Sequence, residues 1–233
     1  MDDISLRIEE VKSKVLSTSI KVNRNRKDIL LVGVTKTVDV PVIEEAIKYG
    51  ITDVGENKPQ ELRRKYELIG DRVKWHQIGT LQTNKVRYII DKVDLIHSLD
   101  RLSLAEEINS RAKKIQRNIN CLVQVNVSRE ESKHGVYLED LETFIRECAS
   151  NFNWINIIGL MTIAPDTDDE QELRLVFRTL KEKFETIKSM SIPGVDMREL
   201  SMGMSGDYQL AIEEGATIIR VGTSIFGKRN YNI

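Results

Sequence analysis

Eight short runs of β-branched and aliphatic residues, each followed by an amphipathic stretch, leave this chain few ways to fold. The runs occupy residues 29–35, 51–56, 73–80, 93–100, 120–127, 155–163, 197–204 and 217–224. Several of them, such as ILLVGV and INIIGLMTI, are almost continuously apolar. That is the pattern of parallel strands covered on both faces, whereas half-exposed antiparallel strands alternate.

The segments between the runs carry helix punctuation. Pro41 suits a first helical turn, Gly50 a C-terminal cap, and Asp100 an N-cap before residues 101–115. Leu173, Val176, Phe177, Leu180, Phe184 and Ile187 recur at three- and four-residue steps within 168–190, an apolar stripe suited to packing on a sheet. Ala211 and Ile212, followed by Gly215, close the last internal helix. A first amphipathic helix within about residues 1–24, marked by Ile4, Ile8, Val11 and Val15, precedes the first strand. The order predicts an α/β protein: a single closed (β/α)8 TIM barrel over 29–227 with an extra N-terminal helix. An open doubly wound sheet satisfies the same spacing, because strand order is not written in spacing.

Composition narrows the function classes. With 13 Gly and 4 Pro and no low-complexity run, nothing divides the chain, so residues 1–233 read as one domain. Lys+Arg 35 against Asp+Glu 36 gives a net charge of -1, which offers no general attraction to nucleic acid or an anionic membrane. The polar opening MDDISLRIEE and the lack of an apolar run of roughly 18 residues predict a soluble, cytoplasmic protein. Two cysteines and three histidines without ligand spacing argue against a metal.

Residues with chemical capability gather at the C-terminal ends of the expected strands: Lys36, Asn57, His76, Asn126, Ser201 and Arg220. In a barrel those ends share one mouth. Lys36 follows a buried strand, where partial desolvation frees an amine to attack an aldehyde; a surface lysine opening a loop has the same local sequence. In TIIRVGTSIFG, Gly222 admits close approach of a ligand while Thr223 and Ser224 offer hydroxyls and amides at a helix start, a phosphate cradle. SMGMSGD at 201–207 repeats the device after the seventh strand, although either turn alone also reads as an ordinary cap. Arg220 lies in an apolar strand and must face a carboxylate, a polar network or a ligand. His76 is either a hydrogen-bonded core histidine or a group at the mouth, and Lys85 and Arg87 read as a solvated face.

The ordered motifs VGVTK (32–36), GENKPQE (55–61), WHQIGTLQTNK (75–85), GLMTIAP (159–165), SMGMSGD (201–207) and IRVGTSIFG (219–227) resemble those of the pyridoxal phosphate homeostasis family. The resemblance implies a fold-type III barrel like the N-terminal barrel of alanine racemase. It implies pyridoxal 5'-phosphate held as a Schiff base on Lys36, with Ser201, Gly222 and Thr223, and more weakly Ser205, on the phosphate. Arg220 would face the pyridine nitrogen, disfavouring its protonation, and Asn57 and His76 would line the pocket. Racemases of this class draw a second acid/base tyrosine from a separate β domain, which the chain, ending soon after its eighth strand, does not supply. The expected role is therefore a monomeric carrier of the cofactor that keeps vitamin B6 and amino-acid pools balanced and serves pyridoxal phosphate-dependent apo-enzymes, with no catalytic residue. A weak amino-acid racemase and a plain phosphate-binding barrel remain the alternatives.

Overall fold

The computed structural model describes residues 4–227. Eight strands, β1 (Leu30–Val34), β2 (Asp53–Glu56), β3 (Lys74–Gln77), β4 (Leu95–Leu99), β5 (Ile119–Gln124), β6 (Ile155–Met161), β7 (Val195–Ser201) and β8 (Ile218–Val221), pair in chain order. All pairs are parallel, and β8 closes on β1 with Leu30 opposite Ile218 and Gly33 opposite Val221. Closure excludes the open sheet.

Helix α1 (Ile4–Lys21) precedes the barrel, α2 (Val40–Lys48), α3 (Pro59–Ile69), α4 (Leu102–Lys114), α5 (Leu141–Asn151), α6 (Glu170–Ser189) and α7 (Tyr208–Glu213) are crossovers between strands, and α8 (Thr223–Phe226) follows β8. Their apolar stripes bury as the sequence predicts. All six stripe residues of α6 are buried, each such side chain stabilising by about 1.5–3 kcal/mol. Asp169 caps α6 by accepting from the amides of Gln171 and Glu172. Two local readings change. The N-cap position of α4 is Arg101, and Asp100 instead accepts from the Arg101 guanidinium. The crossover after β3 is only a 3₁₀ turn over Thr83–Tyr88, with Leu81, Val86, Ile89 and Ile90 buried around it.

Alternation along the strands divides the side chains between two regions. Most of the apolar set packs with the helices outside the barrel. A smaller cluster, Val32, Leu95, Leu122, Ile158, Met161 and Ile218, is separate from it and fills the interior. On β1 the inward series Leu30, Val32, Val34 extends past the strand end to Lys36, which is why that lysine arrives at the mouth. β6 passes so close to β7 at Gly159 that an added Cβ would stand 1.7 Å from the Glu199 carbonyl oxygen. Gly159→Ala is expected to lose at least about 3 kcal/mol in urea unfolding; an unchanged midpoint would mean the two strands can part at no cost.

Candidate functional site

A cavity of about 440 Å³ opens at the C-terminal ends of the strands. Its walls include Val34, Lys36, Asn57, Arg220, Gly222 and Thr223 from the barrel, Met204, Ser205 and Gly206 from the turn after β7, and Ser132, Lys133 and His134 from the loop after β5. That loop is tied back over the mouth: the Asn126 amide donates to the carbonyls of Glu130 and Lys133, and the Gln124 amide to that of His134. Lys36, Lys133 and Arg220 border the cavity, and no carboxylate does so among the described residues. Lys133 is paired with Glu130 at 2.6 Å, and a volume in this range bordered by Lys36 and Arg220 suits a small anionic ligand.

The turn that carries Lys36 is held from behind by α3. Lys65, with no exposed surface, donates to the Thr35 carbonyl at 2.7 Å and to Glu56 Oε1 at 2.7 Å. The Thr35 hydroxyl donates to the same carboxylate oxygen at 2.6 Å. Thr37, at φ 63°, donates its amide to Glu61 Oε1 at 3.1 Å. Residues on both sides of Lys36 are thus fixed, and Lys36 itself is half-buried.

Ser205 and the residues after β8 form a second wall. The Ser205 hydroxyl oxygen accepts from the Gly222 amide at 3.0 Å and the Ser224 amide at 3.4 Å, so backbone donors already converge on an oxygen there. A Cβ on Gly206 would meet no atom within 4 Å, which leaves room beside this cradle. The cradle, the Lys36 amine and a buried guanidinium together fit a phosphorylated aldehyde bearing a ring acceptor.

Six expected site residues meet at the cavity: Lys36, Asn57, Ser205, Arg220, Gly222 and Thr223. Ser201 and His76 are not part of its lining and lie buried in the barrel interior. Arg220, 3 % exposed, donates to Ser201 Oγ at 2.6 Å and to the Thr162 carbonyl at 2.8 Å. Ser201 Oγ lies 3.0 Å from His97 Nδ1, His97 Nε2 2.8 Å from His76 Nδ1, and His76 Nε2 3.0 Å from Asp53 Oδ1. Burial lowers the Arg220 pKa to about 10, with Asp207 opposing, and burial, with His76 and Arg220, holds His97 well below the usual histidine range. Sequence reasoning missed Asp53, His97 and the Glu56–Lys65 pair. The available signal was charge in apolar context: acids at both ends of the short run DVGE, and Lys65 four residues after Glu61.

Burial pushes the Glu56 carboxyl up to about 7, against the pull of Lys65, while an exposed one titrates near 4.5. The folded chain therefore holds a proton that the unfolded chain releases. This contribution to stability is full below pH 4.5 and is lost as pH rises through about 7. Unfolding free energies across this range should fall by of order 2 kcal/mol more for the wild type than for Glu56→Gln. Parallel curves would place the titration elsewhere.

Comparison with known proteins adds to this geometry. The family model described as alanine racemase, N-terminal domain, matches residues 26–230. The chain is 42 % identical over 226 residues to the pyridoxal phosphate homeostasis protein of Aquifex aeolicus, covering 97 % of this chain and 98 % of that one. It is 34 % identical to the protein of the same name in Escherichia coli K12, covering 100 % and 99 %. PipY of Synechococcus elongatus, solved with PLP bound, superposes with a TM-score of 0.84 at 31 % identity, over 97 % of this chain and 100 % of that one. An alanine racemase of Clostridium difficile, 14 % identical, matches with a TM-score of 0.79 over 100 % of this chain and 58 % of its own; this shows the shared barrel alone.

Proposed function

Because the chain belongs to the pyridoxal phosphate homeostasis family, we propose that its cavity holds pyridoxal 5'-phosphate on Lys36 as a Schiff base and that the protein serves intracellular cofactor balance. The observation that carries this reading is the joint placement of Lys36, Arg220 and the Ser205–Gly222–Thr223 cradle around one cavity without acids among the described residues. When bound, the cofactor supplies an aldehyde for a lysine amine and an electron-withdrawing ring.

The chain's own residues divide the work. Lys36 provides the amine, on a turn clamped by Lys65 and Glu61. Ser205, Gly222 and Thr223 hold the phosphate, Asn57 flanks the ring, and Arg220 donates toward the ring nitrogen from the floor. His76 and Ser201 lie buried beneath the cavity and do not line it. The cavity walls come from strand ends and turns of one barrel, and on this reading the protein works as a monomer. No helix among the described residues is long and apolar enough to cross a membrane, and both cysteines are buried thiols. The reading takes the protein as cytoplasmic, passing the cofactor to apo-enzymes.

The protein on this reading carries the cofactor without robust turnover. A weak racemase with His76 as its second acid/base group is disfavoured, since both ring nitrogens of His76 are engaged by Asp53 and His97. Incubation with amino acids in deuterated water should give negligible α-proton exchange; rapid exchange abolished by Lys36→Ala would reinstate the racemase.

The purified protein with added pyridoxal phosphate should show a visible Schiff-base band, and borohydride should fix the adduct on Lys36. In Lys36→Ala the band should be lost. A wild-type protein that stays colourless would leave only a plain phosphate-binding barrel.

A further inference from the structure

Arginine can only donate hydrogen bonds, and this fact orders a whole chain of buried groups. Ser201 Oγ accepts from Arg220, so its one proton is directed to the remaining neighbour, His97 Nδ1. His97, fully buried and held neutral, then carries its proton on Nε2 and donates it to His76 Nδ1. His76 in turn carries its proton on Nε2 and donates to Asp53 Oδ1, while Asp53 Oδ2 accepts from the Thr52 hydroxyl at 2.7 Å. With this polarity every link has one donor and one acceptor. The opposite polarity places two donors on Ser201 Oγ and leaves its hydroxyl proton without one of these partners.

The chain runs through β2, β3 and β4, then crosses the interior to β7 and β8, since β4 and β7 are not neighbours in the sheet. Its aligned dipoles present a lone pair to the buried guanidinium at one end and a proton to the carboxylate at the other. It thus couples Arg220 to Asp53 without contact between the two charges, where direct burial of an unpaired cation would be costly.

We propose that His97, His76 and Asp53 are positioning residues for the ligand ring: their one-way hydrogen-bond chain through Ser201 holds the Arg220 guanidinium at the cavity floor as a donor to a ring acceptor. The proposal rests on the cofactor reading above and extends it to three residues that do not line the cavity. The site accordingly selects a ring whose facing atom accepts a hydrogen bond. Asp207, whose charge also acts on Arg220, belongs to the turn after β7 and is not a member of the chain.

Two measurements test this. In the ligand-free wild type labelled with ¹⁵N-histidine, long-range ¹H–¹⁵N spectra should show His97 and His76 both as neutral Nε2–H tautomers. A proton on His97 Nδ1 would reverse the chain and overturn the proposal. In titrations followed by absorption, His97→Phe should weaken pyridoxal phosphate binding about tenfold. His97→Gln, which keeps a donor and an acceptor, should restore most of that affinity. Binding by His97→Phe equal to that of the wild type would overturn the positioning role alone, whereas a wild type that takes up no pyridoxal phosphate would overturn the cofactor reading itself.

Discussion

A guanidinium enclosed by a parallel barrel has to be given acceptors, because an unpaired buried cation costs several kcal/mol. Arg220 is such a group, and its needs organise the interior around it. Ser201 and the Thr162 carbonyl accept from it, and the two histidines and Asp53 continue the chain across the lumen. The apolar cluster of the interior shares the remaining space. The cavity floor is thereby both polar and held in place, a condition for a site that distinguishes ligands by one hydrogen bond.

A second buried network does the same outside the barrel. Glu56 and Lys65 lie between β2 and α3, and their bonds to Thr35 hold the strand end from which Lys36 projects. The two basic groups, an amine at the mouth and a guanidinium at the floor, therefore stand on separate supports. Neither support lines the cavity, and both use charges that a folding core alone would not require.

Most of the architecture was legible because its signals are local. Short runs rich in β-branched and aliphatic residues, several of them almost continuously apolar, marked the eight strands, and the α6 stripe marked its buried face. The 3₁₀ crossover after β3 was not legible in the same way: its apolar residues Val86, Ile89 and Ile90 suit several helical geometries. Asp100 had the right residue type for a cap, but a neighbouring guanidinium engaged its carboxylate instead. At the site, Lys36, Arg220 and the two Gly/Ser turns could be found from their positions at strand ends. Ser201 and His76 could be picked out as polar groups near strand ends, yet their depth could not, since alternation sets inward or outward direction and not height within the barrel.

Periodicity and turn chemistry act over a few residues, so the sequence by itself determined the strands, the helices, the amine at the end of β1 and the glycine–serine turns after β7 and β8. Which inward groups touch depends on how eight strands are staggered when the barrel closes. Only the tertiary structure decided that His97 reaches Ser201, 104 residues away, and that a carboxylate on β2 and a guanidinium on β8 share one hydrogen-bond chain. Those contacts cross the interior between strands that are not neighbours, and no local pattern encodes such a distance.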